Sequence, residues 1–106
     1  MSEAEGGEPT REEVDRMPGP VLLEFGTPSC GFCRAIRPQL AAMLPQFPDV
    51  RHITIEDGPG KALGRSFRVQ LWPTFVFLRD GRVIKQAARP NAGEIREGLE
   101  AIAAAP

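Results

Sequence analysis

The chain has 106 residues, 42% of them hydrophobic and 25% charged, with thirteen basic against fourteen acidic side chains and a formal net charge of −1. That length can bury a core of its own without disulfide staples and points to one domain, 1–106. The balanced charge argues against nucleic acid or an anionic membrane surface as partner, and no apolar run reaches the roughly 18 residues of a membrane span.

The start, Met1 to Pro9, is acidic and glycine-rich. It lacks the basic-then-apolar order of a secretory signal, so 1–9 reads as a disordered lead and a cytoplasmic location is expected. Thr10 can cap a short helix to about Met17, with Glu12 and Glu13 where the positive end of the dipole favours them. Pro18-Gly19-Pro20 stops it. Residues 21–26 are apolar on both faces apart from Glu24, the pattern of a central, two-sided strand. Thr27-Pro28-Ser29 turns the chain, and Ser29 or Cys30 caps a helix to about Leu44, whose apolar Ile36, Leu40, Met43 and Leu44 recur at helical spacing. Pro38 falls inside that helix and leaves the Arg34 carbonyl without its helical donor. Pro45 and Pro48 end it.

Val50 to Ile55 reads as the next strand, Glu56 to Gly60 as a turn, and Lys61 to Phe67 as a short helix. Pro73 to Leu78 is a β-branched and aromatic strand. Arg79 to Arg82 signals a three-to-four-residue hairpin loop, and Val83 to Ala88 returns. Asn91 caps a last amphipathic helix with Ile95, Leu99 and Ile102 facing inward. Strands alternating with helices require parallel pairing, and the final hairpin adds an antiparallel pair. An α/β fold follows: a mixed sheet with helices on both faces.

The chain's two cysteines, Cys30 and Cys33, stand as Cys-Gly-Phe-Cys directly after the apolar strand. A thiol attacks only as thiolate, and the unsatisfied N–H groups at a helix start favour the anion. Cys30 lies at that start and reads as the exposed nucleophile. Cys33, one turn in, reads as the resolving thiol, and Arg34 adds positive charge nearby. The alternatives are a structural disulfide, which would close only a tiny loop, and a metal site. Two cysteines and one histidine fall short of the four ligands zinc requires, unless two chains share the ion. If Glu24 is buried, its charged form is disfavoured, which suits proton exchange. If it is not, it is a solvated or salt-bridged glutamate at a strand edge.

An apolar strand carrying an acid, Cys-x-x-Cys at a helix start, a proline five residues after the second cysteine, and x-Pro-Thr before a β-hairpin together resemble the thioredoxin family. The resemblance spans roughly residues 20–104. It implies the thioredoxin fold, with a central mixed sheet of four to five strands. It also implies a protein disulfide reductase that works through a Cys30–Cys33 redox couple with no bound cofactor or metal. Glu24 matches the buried acid that relays protons to the resolving thiol, Pro38 the kink proline, and Pro73 the cis-proline facing the dithiol. The backbone of Trp72 matches the segment that pairs with a substrate chain. His52, the chain's one histidine, falls where many members carry a lysine near the acid; it is either a rim residue or a partner of Glu24. The implied partners are a disulfide-containing client and an upstream reductase, either thioredoxin reductase or the glutathione system. The chain is expected to act as a monomer.

Several positions depart from the family pattern. Gly26 and Ser29 replace the two tryptophans expected before the motif. Phe32 occupies the dipeptide position that tunes redox potential, and an uncharged Phe there implies an intermediate, still reducing value. Arg89 fills a loop that usually contains glycine beside the dithiol. With Trp72 on the other wall it makes an aromatic and cationic rim of the kind found at discriminating interfaces, beside Phe32 and Pro73 as further substrate-binding residues; alternatively Arg89 only solvates the loop and Trp72 only packs on Pro73. As a rim, the pair points to a dedicated client. The competing readings are an assembly factor or chaperone whose dithiol is incidental, a metal or iron–sulfur carrier shared between chains, and a thiol oxidase.

Overall fold

The computed structural model describes residues 8–104. In chain order it contains α1 (Arg11–Asp15), β1 (Pro20–Gly26), α2 (Gly31–Met43), a 3-10 turn (Leu44–Gln46), β2 (Arg51–Glu56), α3 (Ala62–Ser66), β3 (Thr74–Arg79), β4 (Arg82–Ala88) and α4 (Ala92–Ala103). The four strands form one sheet in the order β2-β1-β3-β4. β1 runs parallel to β2 and antiparallel to β3, and β3 pairs antiparallel with β4.

The helix starts follow from their caps. The Thr10 side chain accepts from the Glu13 N–H, and the Glu13 carboxylate accepts from the Thr10 N–H. Asn91 and Glu94 form the same reciprocal box at α4. Each box satisfies two N–H groups that the helix cannot pair internally. Pro45, at the start of the 3-10 turn, ends α2.

Side chains alternate along β1, so its two faces feed two cores. Val21, Leu23 and Phe25 join Val14 of α1, Met17 just after it, and Leu63 and Phe67 around α3. Leu22 joins Leu40 and Met43 of α2, Phe75 and Phe77 of β3, and Ile95, Leu99 and Ile102 of α4. Helices therefore cover both faces, and β1 is buried throughout from Val21 to Gly26. Gly98 lets α4 approach the sheet: a Cβ there would stand 2.5 Å from two carbons of the Phe77 ring.

Two details differ from the sequence reading. The hairpin loop is only two residues, Asp80-Gly81, because Arg79 pairs directly with Arg82. Both loop residues have positive φ, 53° and 82°, the turn whose twist matches that of the flanking strands. At the start, residues 1–7 of the expected lead lie outside the described residues, but Glu8 and Pro9 pack on the domain. Pro9 is buried, and Glu8 lies 3.6 Å from the Lys61 ammonium.

Candidate functional site

The dithiol sits where β1 gives way to α2. Gly26 ends the strand, the Cys30 N–H closes a turn onto the Thr27 carbonyl at 3.2 Å, and Cys30 becomes the N-cap of α2. Its Sγ accepts the Cys33 N–H at 3.1 Å. A sulfur in the capping position faces N–H groups that no helical carbonyl satisfies, and they stabilise negative charge on it. Cys30 is half-buried and Cys33 fully buried, and both are free thiols.

Burial pushes the Cys33 thiol from 9.0 up to about 11. Its hydrogen-bonding contact with the Cys30 side chain and the charges of Cys30 and Glu24 add to that rise, while a Thr27 backbone contact opposes it. The burial has a local cause. Gly26 lies directly beneath the sulfur, and a Cβ at that position would stand 2.6 Å from Cys33 Sγ. The missing tryptophan at position 26 thus leaves room that the Cys33 sulfur occupies.

Glu24 lies on the same face of β1 as Leu22, beneath α2, and is 2% exposed. On the neighbouring strand the parallel register pairs Leu22 with His52 and Glu24 with Thr54. His52 and Thr54 therefore share the Glu24 face, and His52 Nε2 donates to Glu24 Oε1 at 2.8 Å. The second oxygen, Oε2, has no hydrogen-bond partner among the described residues. Arg37 Nη2 stands 3.9 Å from it. A cavity of about 330 Å³, lined by Glu24, Gly26, Pro28, Arg37 and Glu56 among others, connects this carboxylate to the surface. It is wide enough to hold water against the orphaned oxygen.

The opposite wall is the loop before β3. The Trp72–Pro73 peptide is cis. The Trp72 indole donates to Asp57 Oδ2 at 3.0 Å. The Trp72 carbonyl accepts from Arg89 Nε at 3.0 Å, and the Pro73 carbonyl from the Arg89 N–H at 2.7 Å. The Arg89 guanidinium lies 4.1 Å from the centroid of Phe32, which is 57% exposed. Phe32, Pro73 and Arg89 line one small cavity together with Ala35, Ile36 and Pro90. The residues singled out in the sequence thus come together in two groups around the dithiol: Glu24 with His52 behind Cys33, and Phe32, Trp72, Pro73 and Arg89 in front.

Two participants are not named in the sequence reading. The cation beside Glu24 is Arg37; Arg34, next to the dithiol in sequence, donates from Nη1 to the Pro28 carbonyl at 3.0 Å. Arg37 follows Cys33 by four residues and so shares its helix face, a signal the sequence does hold. Asp57, read as part of a turn, anchors the Trp72 indole. Gly64 makes room for it, since a Cβ there would collide with the Asp57 carboxylate. Among the described residues no group of three or more His, Cys, Asp or Glu is arranged to hold a metal ion, and no helix is long and apolar enough to cross a membrane.

Residues 7–101 match the family model described as Thioredoxin. Among curated proteins, the chain is 29% identical over 87 residues to "Thioredoxin Asp f 28" of Aspergillus fumigatus, covering 81% of each chain. It is 32% identical over 79 residues to "Thioredoxin H5" of Arabidopsis thaliana, covering 74% of this chain and 67% of that protein. Among solved structures, thioredoxin 2 from Pseudomonas aeruginosa in its reduced form superposes with a TM-score of 0.79 at 52% identity, over 91% of this chain and 90% of that one.

Proposed function

The chain belongs to the thioredoxin family of thiol–disulfide oxidoreductases, and on that premise we propose that it reduces protein disulfides, Cys30 attacking and Cys33 resolving. The observation that carries this reading is the asymmetry of the two sulfurs. Cys30 caps a helix and accepts the Cys33 N–H. Cys33 is fully buried and holds its proton up to about pH 11.

In the proposed cycle the Cys30 thiolate attacks one sulfur of a client disulfide. The client S–S bond breaks, and its other sulfur leaves as thiolate and takes a proton from water. The client is now bound to Cys30 as a mixed disulfide. Cys33, protonated at neutral pH, must lose its proton before it can attack. Glu24, whose charge bears on the Cys33 thiol, is the nearby acceptor, its Oε1 bonded to His52 and its carboxylate open to the solvent-connected cavity. The Cys33 thiolate then attacks Cys30 Sγ. The Cys30–Cys33 disulfide forms, and the second client sulfur leaves reduced. Two electrons have passed from the protein dithiol to the client, and an upstream reductase, thioredoxin reductase or the glutathione system, restores the dithiol. No cofactor takes part in these steps.

The same reading makes the protein a cytoplasmic monomer. All of its cysteine is in this one dithiol, which the reducing cytosol keeps ready, and a single chain supplies every group named. The uncharged Phe32 between the cysteines supports an intermediate, still reducing potential, measurable against glutathione through the emission of Trp72, the chain's one tryptophan.

The test of the cycle is insulin reduction with thioredoxin reductase and NADPH, together with trapping. Cys33→Ser is expected to hold a client on Cys30 as an adduct that dithiothreitol releases, and Cys30→Ser to form no adduct and reduce nothing. Full reductase activity in Cys30→Ser would overturn the assignment.

A further inference from the structure

We propose that Arg89 selects client disulfides flanked by an acidic residue, presenting its guanidinium to that residue's carboxylate beside a small apolar subsite. This rests on the reading of Cys30 as the attacking thiolate and adds the class of client.

The first observation is backbone conformation. Arg89 has φ +51°, a region where a glycine is comfortable and a long side chain is uncommon. Backbone in such a region persists where its surroundings hold it, often at a working site. Here the Arg89 N–H is held by the Pro73 carbonyl at 2.7 Å. The second observation is that the side chain is oriented by both walls of the site. Nε donates to the Trp72 carbonyl at 3.0 Å, and Cζ lies 4.1 Å from the Phe32 centroid. These contacts set the plane of the guanidinium and use only one of its five N–H donors. The two terminal nitrogens have no acceptor among the described residues. A guanidinium oriented in this way matches the two oxygens of a carboxylate, which a point-charge ammonium does not.

The third observation is the subsite beneath it. Phe32, Ala35, Ile36, Gln39, Pro73 and Pro90 line about 160 Å³ with Arg89 at the rim. Five of these six are apolar side chains and the sixth is an uncharged amide, so the space suits a small, mainly apolar group of the client chain. Charge sets the preference. The first turn of α2 carries no acidic residue, its start is positive through the dipole, and Arg34 and Arg37 lie exposed along it. Of the acids nearby, Glu24 is buried against His52 and Asp57 is bonded to the Trp72 indole, while the exposed Glu56 lines the Glu24 cavity and not the Arg89 subsite. A client with a carboxylate next to its cysteine meets complementary charge, and one with a lysine there meets repulsion.

The test uses two disulfide peptides that are identical except for Glu or Lys beside the reacting cysteine, with glutathione disulfide as a third substrate. Reduction is followed by release of substrate thiol. Wild type is expected to favour the Glu peptide in kcat/KM by about tenfold, the scale of one charge-assisted hydrogen bond. Arg89→Gly, whose new residue accepts φ +51° without cost, is expected to bring that ratio close to one. Arg89→Lys, which keeps the charge and loses the fork, is expected to fall between. An unchanged ratio in Arg89→Gly, no preference in wild type, or a preference confined to glutathione disulfide would each overturn the inference while leaving the reductase reading intact. Reduction of none of the three substrates by wild type would overturn both.

Discussion

His52 Nε2 donates to Glu24 Oε1 at 2.8 Å, across 28 positions of sequence and between adjacent parallel strands. The carboxylate is 2% exposed and the His52 side chain 25% exposed. One end of the pair is therefore sealed under α2 while the other touches solvent. In the proposed cycle that geometry would link the buried acid to water, alongside the cavity at its second oxygen.

Replacing His52 with Ala removes the only hydrogen-bond donor that the described residues supply to Glu24. An unpaired buried acceptor costs about 1–3 kcal/mol. His52→Ala is therefore expected to lower the unfolding free energy from urea titration by that order and to alter the pH profile of the resolving step. His52→Gln, which can still donate, is expected to recover part of the stability. A midpoint and a pH profile both unchanged in His52→Ala would show that the contact is inert.

Cys33 provides a pH signature. Its proton leaves near 9.0 in the unfolded chain and near 11 in the fold. Between those values the folded state binds more protons than the unfolded one, so stability falls as pH rises. The contribution is fully present below about pH 9 and lost through about pH 11, and two pH units correspond to about 2–3 kcal/mol. Urea midpoints of the reduced protein are expected to decline across that window more steeply than those of Cys33→Ala. Parallel declines would remove burial as the cause of the retained proton.

Gly26 has its own test. Its Cβ in Gly26→Ala would lie 2.6 Å from Cys33 Sγ, so the sulfur has to move. Overpacking of this kind costs about 1–3 kcal/mol. The reduced form is expected to lose stability on that scale, and the mixed disulfide on Cys30 to persist longer in single-turnover experiments. Wild-type stability together with wild-type resolution would show that the sulfur has another rotamer available at no cost.

Much of the site was legible because its causes are local. Two residues between the cysteines place the second one turn into a helix, and the strand before them is apolar enough to be central. The Thr10 and Asn91 caps, Pro38 and the x-Pro-Thr segment are likewise local. The two-residue turn was read too long because Arg79 and Arg82 look like loop residues by composition, whereas the register pairs them across the hairpin. Arg34 adjoins the dithiol in sequence, but the helix turns it onto the Pro28 carbonyl and brings Arg37, one turn after Cys33, towards Glu24.

What the amino-acid order determined by itself was therefore the reacting pair, its position at a helix start, and the sandwich of helices about an apolar strand, since spacing and periodicity act within a few residues. What only the tertiary structure decided was the company the pair keeps. His52 reaches Glu24 because β1 and β2 pair in parallel at one particular register. Asp57 reaches Trp72, and Arg89 spans Trp72 and Phe32, because three loops distant in sequence converge at one end of the sheet. Those contacts depend on strand register and loop path, which no stretch of neighbouring residues encodes.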